Sequence, residues 1–133
     1  MWKKGDVVEL VLDMPVKLIE SNPLVEETRN QTCVKRGPLV YCLEGADVAG
    51  GKSIDNVLIP ADMKFSPRKT TIAGSPIVVL DGTARLTSEN SWKNTLYRPV
   101  GKTDKMVNIT LIPYYAWGNR GKMDMTVWMP LVK

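Results

Sequence analysis

The sequence predicts an all-β domain, a β-sandwich or jelly-roll-like arrangement of mostly antiparallel strands over residues 1–133. Three observations predict it. Valine, isoleucine and threonine together number 32 against 6 alanines, a balance that suits pleated, half-buried strands. Nine prolines and ten glycines cut the chain into runs too short for long helices. Within those runs apolar residues recur at period two, the spacing that lines one face of a strand.

The first such run is 7–14, where Val8, Leu10, Leu12 and Met14 share a face and Glu9 and Asp13 lie on the other. Pro15 ends it, and 16–20 and 32–36 follow as strand candidates. Leu39-Val40-Tyr41-Cys42-Leu43 is apolar on both faces, as a central strand covered on each side should be. Further candidates are 57–59, 69–73, 77–80 and 83–87, with turns expected at Gly50-Gly51, Ser66-Pro67, Gly74-Ser75-Pro76 and Asp81-Gly82. In 106–112, Val107, Ile109 and Leu111 alternate with Asn108 and Thr110. In 123–129, the methionines at 123, 125 and 129 and Val127 alternate with Asp124, Thr126 and Trp128. The polar, aperiodic stretch 88–105 reads as a long connection.

Composition narrows the chemistry. The chain of 133 residues has no histidine and two cysteines, which removes imidazole as general base, as zinc ligand and as activator of a serine or cysteine nucleophile. Its net charge of +4 is dispersed. Residues 1–62 carry 7 basic and 10 acidic groups and residues 63–133 carry 11 and 4, with no basic run longer than a pair, so nucleic acid is not the expected partner. No apolar stretch approaches a membrane span or a signal peptide core, so no membrane association is expected, and the compartment is left open. Fourteen carboxylates supply many pairs of the sort glycosidases use. The one adjacent pair, Glu26-Glu27, lies in a polar stretch where solvated charges are the ordinary outcome, and no independent catalytic residues are assigned. Cys33 and Cys42 are equidistant from Gly37-Pro38, so a tight turn there would set them face to face; they are expected as buried, reduced thiols.

Two segments carry more information. In Arg36-Gly37-Pro38-Leu39-Val40-Tyr41-Cys42-Leu43-Glu44, glycine before proline reads as a kink, bulge or turn leading into the central strand. The second segment, Ile112-Pro113-Tyr114-Tyr115-Ala116-Trp117-Gly118-Asn119-Arg120-Gly121, gathers three aromatic rings, an amide and a guanidinium. Rings stack on the apolar face of a sugar while amide and guanidinium groups fork onto its hydroxyls, so Tyr114, Tyr115, Trp117, Asn119 and Arg120 are candidate glycan-binding residues. The same composition also suits a turn whose aromatics plug the end of a sandwich or pack on a neighbouring domain.

These two segments, with Met14-Pro15-Val16-Lys17-Leu18 and the closing Met125-Thr126-Val127-Trp128, resemble the C-terminal region of bacterial β-L-arabinofuranosidase-like enzymes of glycoside hydrolase family 127. The resemblance implies a β-sandwich part that follows an α/α-barrel catalytic domain in a larger polypeptide. It also implies a cysteine nucleophile at a zinc site of cysteines and a glutamate within that barrel. None of those roles maps onto this chain, so no cofactor and no metal ligand are expected in it. Its expected partners are its own catalytic barrel and, as further candidates, a second subunit or a glycan. An accessory domain of this kind should expose apolar surface, supplied by residues such as Trp2, Trp92, Tyr97, Tyr114 or Trp117.

Overall fold

The computed structural model describes residues 2–87, 95–99 and 105–133. Nine strands run in the order β1 (Val16–Glu20), β2 (Gln31–Arg36), β3 (Leu39–Glu44), β4 (Val57–Pro60), β5 (Ser66–Ile72), β6 (Ser75–Leu86), β7 (Lys105–Pro113), β8 (Met125–Thr126) and β9 (Met129–Val132), with single 3₁₀ turns between some of them. The expected all-β, mostly antiparallel class is what the chain adopts. Six strands close into a mixed barrel, β2-β9-β4-β6-β7-β3 and back to β2, with β1, β5 and β8 attached to β2, β6 and β3. Closure pairs strand edges that an open sheet would leave bare. The β4–β9 contact is parallel and the other described pairings are antiparallel. No described helix is long and apolar enough to cross a membrane.

The turn at Gly37-Pro38 sets the register of the central hairpin. Arg36 pairs with Leu39 and Val34 with Tyr41, leaving a two-residue loop with Gly37 at φ 56°. A positive φ followed by proline's fixed negative φ is the sign pattern of a II′ turn, which matches strand twist. β3 is then buried from Tyr41 to Glu44, the expected central strand. Tyr41 and Leu43 point into the barrel core with Val34, Ile59, Leu80, Leu111 and Met129. Cys42 points outward into a second cluster with Ile72, Ile77, Val79, Ile112 and Ala116. Tyr41 keeps its hydroxyl satisfied by donating to the Val78 carbonyl at 2.9 Å.

Four expectations need correction. The run 7–14 joins no described strand, and its apolar residues from Val7 to Leu12 are exposed; alternation marks a face suited to burial, but ladder bonds need a neighbour. The segments 77–80 and 83–87 are one strand, β6, and Asp81-Gly82 is its middle rather than a turn. The strand packs closely at Gly82, where a Cβ would lie 2.5 Å from Met63 Cε and 3.0 Å from Phe65 Cδ1. Ser66-Pro67 opens β5, and the β5–β6 hairpin turns at Ala73-Gly74, both at positive φ. The run 123–129 divides into β8 and β9, which pair with different strands. At the break the Thr126 hydroxyl donates to the Trp128 carbonyl at 2.7 Å, a side-chain bond that competes with the ladder. Most of 88–105 lies outside the described residues, as does Trp92.

Cys33 and Cys42 are both buried and unbonded. Burial raises both thiols, Cys42 to about 12 with the Glu44 and Asp47 carboxylates adding to the effect. The native fold thus favours the neutral thiol. The stability this confers is intact below the ordinary thiol range and is lost as pH climbs toward about 12. Titration with a thiol reagent near pH 8 should find no fast-reacting group in the native chain and two after denaturation; recovery of none without reductant after denaturation would contradict the free-thiol state. Replacing Gly82 by valine, whose branches a shift of the Met63 methyl alone does not clear, should destabilise the fold by about 1–3 kcal/mol in denaturant titration, and an unchanged midpoint would contradict the close approach at that position.

Candidate functional site

The aromatic loop follows β7 directly. Pro113 ends the strand, and Tyr114–Ala116 form a 3₁₀ turn closed by the Trp117 amide donating to the Tyr114 carbonyl at 3.2 Å. Ala116 drops into the outer apolar cluster. The rings on either side stay outside: Tyr114 and Trp117 lie 6.2 Å apart between ring centroids at 15°, an offset-stacked geometry. They are 48% and 46% exposed, and Tyr115 is 63% exposed.

The polar residues of the loop bond back to the domain while staying partly open to solvent. The Asn119 amide donates to the Ala116 carbonyl at 3.1 Å. Arg120 reaches back to the end of β3, where Glu44 is completely buried. Its Nε donates to Glu44 Oε2 at 2.9 Å and its Nη1 to Asp47 Oδ1 at 2.8 Å, while Nη2 bridges the two carboxylates. The Gly118 amide donates to the other Glu44 oxygen at 3.0 Å. Both carboxylates hold the guanidinium charged, raising Arg120 further above its already high range, with Asp47 the larger influence. A buried carboxylate is tolerated only when paired and hydrogen-bonded, and this one takes its partners from the loop 74 and 76 positions along the chain.

The structure therefore gathers all five candidate residues into one loop, with the three rings outward and Asn119 and Arg120 engaged within the domain. Glu44 and Asp47 are the partners the sequence reading missed. Period two places Glu44 on the outward face of Cys42, which is buried, so a carboxylate there calls for a cation; nothing local in the sequence points to Arg120. Glu26 and Glu27 are exposed as expected. A second polar cluster lies nearby: Arg68 holds Asp81 through both of its oxygens, and Thr110 donates to the same carboxylate at 2.7 Å. Arg68 first, then Thr110, keeps Asp81 below the usual carboxylate range. An open cleft of about 730 Å³ runs beside it along β6 and β7, lined by Asp62, Lys64, Thr83, Arg85 and Asn108 among others. As for the zinc implied by the resemblance, the described residues contain no group of three His, Cys, Asp or Glu side chains able to hold a metal, and Glu44 is already engaged by Arg120, so the described residues do not fit that ion.

The description of the glycoside hydrolase family 127 C-terminal domain matches residues 16–130. The chain belongs to that family. Among proteins similar to this GH127 C-terminal domain, a non-reducing end β-L-arabinofuranosidase from Bifidobacterium longum subsp. longum is 29% identical over 129 residues, 93% of this chain and 20% of that protein. Among solved structures, a glycoside hydrolase is 68% identical with a TM-score of 0.91, covering 99% of this chain and 22% of that one. A GH127 β-L-arabinofuranosidase from Geobacillus stearothermophilus T6 is 37% identical with a TM-score of 0.79, covering 90% of this chain and 18% of that one. The chain thus spans about a fifth of the length of these relatives.

Arg120→Ala should lower stability by about 2–3 kcal/mol, less than the ~3–5 kcal/mol for breaking a fully buried pair because the guanidinium is partly solvated. Denaturant unfolding checks it; a change under about 0.5 kcal/mol would show the pair to be an ordinary surface contact.

Proposed function

We propose that this domain is a non-catalytic accessory part of a β-L-arabinofuranosidase-like glycoside hydrolase, packing on the catalytic α/α-barrel of the same polypeptide with the face that carries Tyr114, Tyr115 and Trp117. The single observation that carries the reading is the division of labour in the aromatic loop. Its guanidinium is engaged by Glu44 and Asp47 and its Asn119 amide makes one bond to the Ala116 carbonyl, while the three rings face outward. A rigid turn displaying rings that solvent now covers is suited to a neighbouring domain, whose packing would remove that apolar area from water. Trp2 and Tyr97 are exposed as well, in keeping with a domain that has further covered faces in its parent. Hydrolysis, and any zinc it uses, is assigned to the remainder of the parent.

The near-parallel, solvent-open pair of Tyr114 and Trp117 favours one second reading, a carbohydrate-binding module. Titrating L-arabinofuranose-containing oligosaccharides into the 133-residue chain, with the Trp117 indole followed by NMR, separates the two. The accessory reading expects no perturbation at millimolar sugar. A saturable shift at Trp117 that Trp117→Ala abolishes would overturn it in favour of the binding module.

A further inference from the structure

We propose that residues 7–14 are a β-strand whose partner is a sheet in the upstream part of the same polypeptide, so that the domain is stitched to its parent by backbone pairing as well as by the aromatic face. The inference rests on the accessory reading and adds to it the segment and the mode of attachment.

Four observations converge. The run Val7-Val8-Glu9-Leu10-Val11-Leu12-Asp13-Met14 has the period-two pattern of a strand, with an entirely apolar even face and a mixed odd face. In the structure it has no ladder, and Val7, Val8, Leu10, Val11 and Leu12 are 68–87% exposed. Five large apolar side chains in six consecutive positions are far more than the scattered exposed residues a free surface carries. The family match starts at residue 16, placing the run on the upstream side of the C-terminal domain. The relatives that contain this domain are about five times longer, so the chain that would cover the run exists in proteins of this family.

The end of the segment is anchored to this domain. The Gly37 amide donates to the Pro15 carbonyl at 3.1 Å, and Met14 lies where a Cβ on Gly37 would be. Pro15 then removes a donor and breaks the ladder, so the strand stops where β1 begins. Strand addition supplies main-chain hydrogen bonds, with alternate side chains entering apolar sites on the partner. The even face, Val8, Leu10 and Leu12, is the one expected inward; Glu9 and Asp13 stay toward water.

Amide hydrogen exchange on the full-length parent and on the 133-residue chain tests this. In the parent, amides in 7–12 should exchange at least about 100-fold more slowly than in the 133-residue chain, where they should exchange at nearly unstructured rates. The double variant Leu10→Asp, Leu12→Asp should leave the unfolding midpoint of the 133-residue chain unchanged and lower that of the parent. Rapid exchange of 7–12 in the parent overturns the proposal. If Trp117 is nonetheless shielded from quencher there, the accessory reading stands without the strand; if Trp117 is accessible too, both fall. Protection of 7–12 that grows with concentration in the 133-residue chain also overturns the proposal, by showing that a second copy is the partner.

Discussion

A carboxylate with no solvent exposure sits at the end of the central strand, and much of the surface of this domain follows from how that charge is satisfied. Glu44 leaves the barrel on the same outward face as Cys42, where apolar packing offers it nothing. Arg120 and the Gly118 amide supply its hydrogen bonds, and Asp47 shares the guanidinium. Desolvating a carboxylate costs several kcal/mol, so the loop from Tyr114 to Arg120 is held down by the need to satisfy a charge. Side chains on either side of that anchor have their directions set by it. Ala116 goes inward, and Tyr114 and Trp117 go outward.

The barrel provides the frame for this arrangement. Its interior holds Tyr41, Leu43 and their partners, and its outer face holds a smaller cluster around Cys42 and Ile112. The two cores share β3 and β7 through side chains on opposite faces of each strand. The loop emerges from β7 and is tied to β3, two strands already paired to one another through Tyr41↔Pro113 and Cys42↔Ile112. Backbone ladder and side-chain charge thereby reinforce the same contact. The guanidinium that might read a sugar instead holds the loop in place, and the rings stay exposed.

Local features of the sequence carried most of the strands. Period-two alternation located 106–112, an apolar run on both faces located 39–43, and short runs between turn residues located 16–20, 32–36 and 57–59, because each has a buried face and a neighbour within the domain. The same alternation in 7–14 was equally clear, yet no described strand pairs with it; side-chain pattern reports suitability for burial and is silent about where the partner lies. Gly82 read as a turn because glycine after aspartate usually is one, whereas here its missing Cβ makes room for Met63 and Phe65 on another segment. The break between β8 and β9 depends on a Thr126 hydroxyl bond that period two does not encode. At the aromatic loop, composition singled out five residues and left two roles open. What composition lacked was Glu44, 76 positions away from Arg120, a contact made by topology.

The Glu44–Arg120 contact is the interaction that fixes the loop. A double-mutant cycle with Glu44→Gln and Arg120→Gln, read by denaturant unfolding of all four proteins, measures that contact free of each residue's separate effects. A coupling energy of about 1.5 kcal/mol or more is expected, with the double variant less destabilised than the sum of the singles. A coupling near zero would contradict the account, because the buried carboxylate would then be satisfied without the loop.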